Sequence, residues 1–279
     1  MDSDLWSDEQ ALAYIASHAD LIDAFGEDPS AGRLHYREHG AAEGRKITFD
    51  PFAYADRVDI VSRSRAELAA RHYIKKRVEN LRDFPLTYLP PGEAGTSYRQ
   101  RVLSGFLGRY CRGDVVLDVG YSGYDNPEQL TAVPGAIGID LDYPGYDGVT
   151  LPFSDASVDT IFSSHCLEHI ERDHDVIQDW HRVLKVGGCA ICIVPSQALY
   201  EKKLSTPSRW NEDHKRMYTP ATLLSSFEDA LEVNSYRLRH LRENEGNYNY
   251  ETPPDVHANS PYEIELVIEK IRKPGWDIS

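Results

Sequence analysis

From residue 115 onward the chain alternates short, continuously apolar runs with stretches whose apolar residues recur at helical spacing. The runs VVLDVG (115–120), AIGIDLD (136–142), VDTIFSSH (158–165), CAICIVP (189–195) and YEIELVIEKI (262–271) predict strands. YRQRVLSGFLGRYC (98–111), NPEQLTAV (126–133), DHDVIQDWHRVLK (173–185) and PATLLSSFEDAL (220–231) predict helices. Apolar strands in alternation with helices imply a mostly parallel sheet covered on both faces.

The first 60 or so residues follow another pattern. EQALAYIASHADLIDAF (9–25) has helical period, and FDPFAYADRVDIVS (49–62) echoes its Ala-Tyr and its acid followed by a branched residue, a weak repeat of about one and a half units. Between them Gly40 and Gly44 read as a helix stop and a turn. The pattern of residues 61–83 predicts a charged amphipathic helix, and FPLTYLPPGEAGTS (84–97), crowded with Pro and Gly, is expected to break regular structure. The expected organisation is a small all-helical module over 1–60, a connecting helix and linker over 61–96, and an α/β domain over 97–279 with a lid around 200–260.

Charge and composition narrow the function. A formal net charge of −15 repels a phosphate backbone, so no nucleic-acid partner is expected. No run approaches the roughly 20 apolar residues of a membrane span, and the start MDSDLWSDEQ has no secretory pattern, so a cytoplasmic protein is expected. Four cysteines in no framework fit a reducing compartment; Cys189 and Cys192 lie three apart in a buried strand and face opposite sides of it, which argues against a redox pair.

In an open parallel sheet ligands bind beyond the carboxyl ends of the strands. Asp118, Gly120 and Gly123 fall there after the first strand, and Asp140 ends the second, about 20 residues on, where a carboxylate can accept from both ribose hydroxyls. The spacing is not the G-x-G-x-x-G of a dinucleotide binder. With YDGVTLPF (146–153), LEH (167–169) and LKVGG (184–188) in order behind it, the run from Val115 to Ser196 resembles the class I S-adenosylmethionine-dependent methyltransferases, and within them the type 11-like domains.

That resemblance implies a Rossmann-like fold with an antiparallel last strand and S-adenosyl-L-methionine as cofactor. It implies that Asp118, Gly120, Tyr121 and Gly123 surround the methionyl part, that Asp140 holds the ribose, and that Leu141 packs on the adenine. Asp147 and Gly148 would read the adenine amino group and ring, and Ser163 to His165 would line the sulfonium end. Tyr121 and Ser122 stand where many members have Cys-Gly or Ala-Gly, and Tyr124 stands in place of the last glycine. The N-terminal stretch resembles a short helical repeat of bacterial multidomain proteins.

Methyl transfer needs alignment and, for a hydroxyl nucleophile, a base. The candidates are His165, His169 and His214, with Arg216 and Tyr218 of HKRMYTP shaping the acceptor pocket. A polar and aromatic tail, 243–270, suits a sugar's apolar faces and hydroxyl rim, which favours O-methylation of a sugar in a glycan or nucleotide-sugar. A small-metabolite or natural-product O- or N-methyltransferase and a non-catalytic cofactor-binding scaffold stand as alternatives. HCLEH also matches the H-x-x-E-H zinc spacing, but it begins at a strand end rather than inside a helix, and His35, Tyr36, His39 and Glu43 read as packing and capping. No metal is expected. The helical module could dock a partner or form a homo-oligomer.

Overall fold

The computed structural model describes residues 6–58, 60–78, 84–121, 129–259 and 261–276. The chain divides into two compact units, Met1–Arg82 and Asp83–Ser279.

Among the described residues the first unit holds five α-helices: α1 (Asp8–Ala16), α2 (Ala19–Phe25), α3 (Pro29–His35, continued by a π-helical turn over Tyr36–Gly40), α4 (Pro51–Arg57) and α5 (Arg65–Val78). Local chemistry sets their starts. Ser7 and Gln10 form a reciprocal capping box on α1. Asp28 and Asp50 each accept two backbone amides ahead of a proline at the first helical position. The two halves share a device as well as a pattern: Tyr14 Oη bonds His35 Nδ1 at 3.0 Å, and Tyr54 Oη bonds His72 Nδ1 at 2.8 Å. Helix α5 packs Ala70 and Ile74 into this unit's core, so it belongs by burial to the helical unit. The division falls at 82/83, just ahead of the Pro/Gly-rich stretch.

The second unit opens with α6 (Gly92–Leu103) and α7 (Phe106–Tyr110). The single helix predicted over 98–111 is thus two, separated at Gly105, whose φ of 74° a helix cannot continue. The sheet follows: β1 (Val116–Val119), β2 (Ile137–Ile139), β3 (Val158–Ser164), β4 (Leu184–Pro195), β5 (Tyr236–Asn244) and β6 (Glu263–Lys270), in spatial order β2-β1-β3-β4-β6-β5. The first four are parallel and β6 runs antiparallel between β4 and β5. This is the expected Rossmann-like arrangement. Helices α8 (Asp173–Val183) and α9 (Pro220–Ala230) complete it, α9 starting on a Thr219 capping box.

Alternate residues of β4 enter opposite cores. Ala190, Cys192 and Val194 pack with Trp180 of α8 and Phe227 of α9, whereas Cys189, Ile191 and Ile193 pack with Tyr98 of α6 and Leu107 of α7. The two cysteines therefore lie on different faces, both free and buried, and burial raises both thiols. Two expectations change. Of the helix predicted over 126–133, residues 126–128 lie outside the described residues and 129–133 are not helical: Thr131 Oγ1 donates to Val133 O and the Ala132 amide to Asp118 Oδ2. Strand β5 had no counterpart in the reading of the pattern: its sequence YRLRHLREN alternates charge at a sheet edge that meets water, so it lacks the apolar run that marks its neighbours.

Candidate functional site

The order β2-β1-β3 puts a topological switch at the carboxyl end of β1, since the chain leaves β1 for one neighbour and returns on the other side. The backbone turns there at Gly120 with φ of 93°, and a Cβ on that residue would lie 2.5 Å from Cys166 Cβ. Only glycine fits both the dihedral and the gap. The amides of Gly120 and Tyr121 both donate to Ile139 O, at 2.9 and 3.2 Å, which fixes the turn against β2. The Tyr121 ring covers Gly138, where a Cβ would sit 2.2 Å from Cδ1, and its hydroxyl donates to Gln129 O at 2.6 Å.

Asp118, third residue of β1, is 4% exposed and accepts the Ala132 amide at 2.6 Å. Burial pushes its carboxyl up to about 7 despite that amide, and the Asp140 charge adds to the rise. Asp140 follows β2 directly. Its Oδ1 accepts from Leu141 N at 2.6 Å, and burial raises it too. Two acids whose ionisation is held back by desolvation, at the adjacent ends of β1 and β2, make a crevice in which a cationic, hydroxyl-bearing ligand would favour the charged carboxylates.

The other expected cofactor residues differ in standing. Leu141 is 72% exposed and can lie on a ring. Gly148, with φ of 88°, has Leu141 Cδ2 3.0 Å from the place a Cβ would occupy, so the two share one wall. Asp147 Oδ1 accepts the amides of Val149 and Thr150 at 2.9 and 2.6 Å, and those bonds hold its carboxyl below the usual range; it builds the loop's turn. Ser163 is buried in β3. Gly123 lies outside the described residues.

The histidines stand in a buried ionic cluster on the other side of Cys166. His165 has φ of 54°, unusual for a non-glycine residue, and turns its ring between two carboxylates, Glu93 Oε2 at 2.7 Å from Nδ1 and Glu263 Oε1 at 3.1 Å from Nε2. Burial alone would lower its imidazole, yet those bonds and the Glu168 charge lift it to about 10. His165 is therefore a charged strut. Glu263 in turn accepts from Ser97 Oγ and Arg101 Nη2, each at 2.6 Å, and Arg101 Nε donates to Glu265 Oε1 at 2.8 Å.

His214 bonds Glu201 Oε1 through Nδ1 at 3.1 Å and points Nε2 at Glu168, 3.9 Å away. His169 points its own Nε2 at the same Glu168 oxygen, also 3.9 Å away. Burial and then the neighbouring His214 pull His169 down, so its ring is neutral at pH 7. Arg216 and Tyr218 bring their polar ends to Asp173 at the start of α8, Arg216 as an ion pair and Tyr218 Oη at 3.4 Å; these contacts tie the segment after β4 to that helix.

Beside the cluster lies a cleft of about 200 Å³ lined by Glu93, Thr96, His257, Asn259, Pro261 and Tyr262 among others. An aromatic group of Tyr200, Trp210, Tyr248 and Tyr262 packs behind it. The expected pocket wall in the tail thus lies against α6; Glu93, Arg101, Glu201 and Glu263 are participants that pattern reading passed over, and Glu168 was met there only as the acid of the HCLEH spacing. One signal was present: Glu263 and Glu265 sit two apart in an otherwise apolar strand, so they share one face. An acid pair on a buried face demands a cation, and Arg101 on α6 supplies it.

Comparison with known proteins gives the following. The family described as "Methyltransferase domain" matches residues 122–192. A protein of Mycolicibacterium smegmatis named "Probable S-adenosylmethionine-dependent methyltransferase" is 28% identical over 159 residues, which are 50% of this chain and 61% of that protein. The match thus spans about three-fifths of the relative's length. Among solved structures, a SAM-dependent methyltransferase from Aquifex aeolicus aligns at TM-score 0.39 and 16% identity over 79% of this chain and 98% of that one. An S-adenosylmethionine-dependent methyltransferase from Mesorhizobium loti aligns at 0.35 and 13% over 57% and 81%.

Proposed function

We propose that this chain, which carries a class I methyltransferase domain, binds S-adenosyl-L-methionine at the β1/β2 carboxyl ends and transfers its methyl group to an acceptor oxygen. The observation that carries the reading is the switch-point crevice, in which Asp118 and Asp140 flank a turn that only Gly120 can make. The cofactor supplies a methyl group on a sulfonium, open to in-line displacement. Asp140 would accept from the ribose, Asp118 and the Gly120 turn would face the methionyl end, and Leu141 with Gly148 would lie on the adenine.

For the acceptor we favour a sugar hydroxyl. The cleft next to His165 is smaller than the roughly 300–1,000 Å³ usual for drug-sized ligands, a size that suits one ring at a chain end. Its lining mixes carboxylate, hydroxyl, amide and aromatic groups, the mixture that sugars need. His169 is the histidine suited to take the hydroxyl proton, because its ring is neutral and half-exposed whereas both nitrogens of His165 already face carboxylates.

Incubation with methyl-labelled cofactor and a panel of nucleotide-sugars, oligosaccharides, hydroxy metabolites and amines tests this. Label in a sugar fraction supports it. Label confined to amines or non-sugar hydroxyls would move the chain to small-metabolite methylation, and cofactor binding without transfer to any acceptor would favour the scaffold.

A further inference from the structure

Glu168 presents an unbalanced piece of chemistry. Its side chain is 1% exposed, and neither carboxylate oxygen has a hydrogen-bond partner. Leaving such a group unpaired costs roughly 1–3 kcal/mol or more, so a buried orphan carboxylate calls for a partner that protein atoms do not supply. What faces it is three imidazole nitrogens, His165 Nδ1 at 3.8 Å and the Nε2 atoms of His169 and His214 at 3.9 Å, all beyond hydrogen-bond reach. His214 has Nδ1 on Glu201 Oε1, itself on a buried side chain, so the ring proton belongs on Nδ1 and Nε2 offers a lone pair. His169 bonds the Asp213 backbone and likewise turns Nε2 inward. Three potential metal-ligand atoms thus come together in one place.

We propose that Glu168, His169 and His214 form a binding site for one divalent first-row transition ion, with Glu201 orienting His214 from behind. The ligating atoms lie within 4.8 Å of one another. A tetrahedral ion with bonds of about 2.0–2.2 Å holds its ligands about 3.4 Å apart, so the site closes by roughly 0.5 to 1.4 Å. His169, half-exposed on the short 3-10 turn Leu167–His169, can make that movement by ring rotation. Two imidazoles and one carboxylate with a position left open are a donor set for Zn²⁺ or Fe²⁺, and imidazole disfavours Mg²⁺ and Ca²⁺. The Glu201–His214 bond is the outer-sphere carboxylate contact that fixes tautomer and ring orientation in such sites.

The H-x-x-E-H spacing pointed elsewhere because it pairs His165 with His169. The fold engages both ring nitrogens of His165 with Glu93 and Glu263 and brings in His214 from 45 residues downstream. The Tyr200 ring lies 5.7 Å from His214 and 4.8 Å from Tyr262, so the ion would sit one aromatic layer from the cleft.

The test is titration of the untagged, chelator-stripped full chain with Zn²⁺ against a chromophoric chelator, and with Co²⁺ followed by its visible absorption, in the absence of cofactor and acceptor. The expected result is one ion per chain at micromolar affinity or tighter, weakened at least 100-fold in Glu168→Gln and His214→Gln and about 10–100-fold in Glu201→Gln. Glu168→Gln removes a buried charge without changing shape, so its apo form should melt no lower than the native chain while losing the Zn²⁺-induced rise in Tm. No binding below millimolar Zn²⁺, or equal affinity in native and Glu168→Gln chains, would overturn the site and leave the cofactor reading untouched.

Discussion

Arg101 is the sharpest place to test how the second unit is held together. Its side chain is 2% exposed, with Nη2 at 2.6 Å from Glu263 and Nε at 2.8 Å from Glu265, both buried. Arg101→Met keeps the length and removes the guanidinium, leaving the charged His165 at 3.1 Å on Glu263 and only the His240 ring, at 3.4 Å, beside Glu265. Breaking a buried pair from one side costs about 3–5 kcal/mol. For a domain of roughly 200 residues each kcal/mol moves Tm by about 2–4 °C, so the expected drop is roughly 6–20 °C at pH 7.5. The pH dependence gives the sign. Burial would raise both glutamates, but Arg101 helps hold them below their usual value, so in the native chain their contribution is present above about 4.5 and is lost as pH falls through the lowered values. In the variant burial prevails, the carboxyls rise, and stability falls as pH climbs through them. The deficit should therefore shrink toward pH 5, and Glu265→Gln on top of Arg101→Met should restore part of it. Circular-dichroism melts of the full chain between pH 5 and 8 read both effects; a loss under about 1 kcal/mol, or one flat with pH, would refute the assignment.

Further outcomes follow from the crevice and its neighbours. Gly120→Ala meets both φ of 93° and a Cβ contact of 2.5 Å, so cofactor affinity should fall at least about tenfold, with partial recovery in the Gly120→Ala/Cys166→Gly double variant, read by calorimetry. Asp118 has a folded value raised from 3.8 to about 7, so its destabilising effect appears as pH rises through that window and is complete above it. Asp118→Asn should therefore be more stable than the native chain at pH 8, by up to about 4 kcal/mol, equal to it near pH 4, and weaker in cofactor binding. Tyr218→Phe loses a 3.4 Å contact to Asp173 and a bond with the Ser226 hydroxyl, and should change Tm by no more than about 3 °C while leaving cofactor affinity unchanged.

How much of this was legible in the chain depends on the kind of interaction. Strands β1, β3, β4 and β6 announced themselves because burial on both faces forces continuous apolar runs, and the acids at 118 and 140 stood out as charges at the ends of such runs. Strand β5 escaped because an edge strand keeps charged residues on its solvated side. The histidines were visible as residue types, but their roles were set by partners far along the chain: Glu93 and Glu263 for His165, Glu201 for His214. No periodicity encodes a contact across 98 residues. Likewise Arg216 and Tyr218 looked like pocket residues in sequence, and the fold brings both to Asp173, 43 and 45 positions upstream.

The central claim is that Asp140 and the Gly120 turn receive S-adenosylmethionine. Calorimetric titration with S-adenosylhomocysteine, on the native chain and on Asp140→Ala, tests it most directly. The account predicts micromolar binding by the native chain and a loss of at least about 1.5 kcal/mol, more than tenfold, when the ribose acceptor is removed. Absence of binding by the native chain, or equal affinity in the variant, would contradict it.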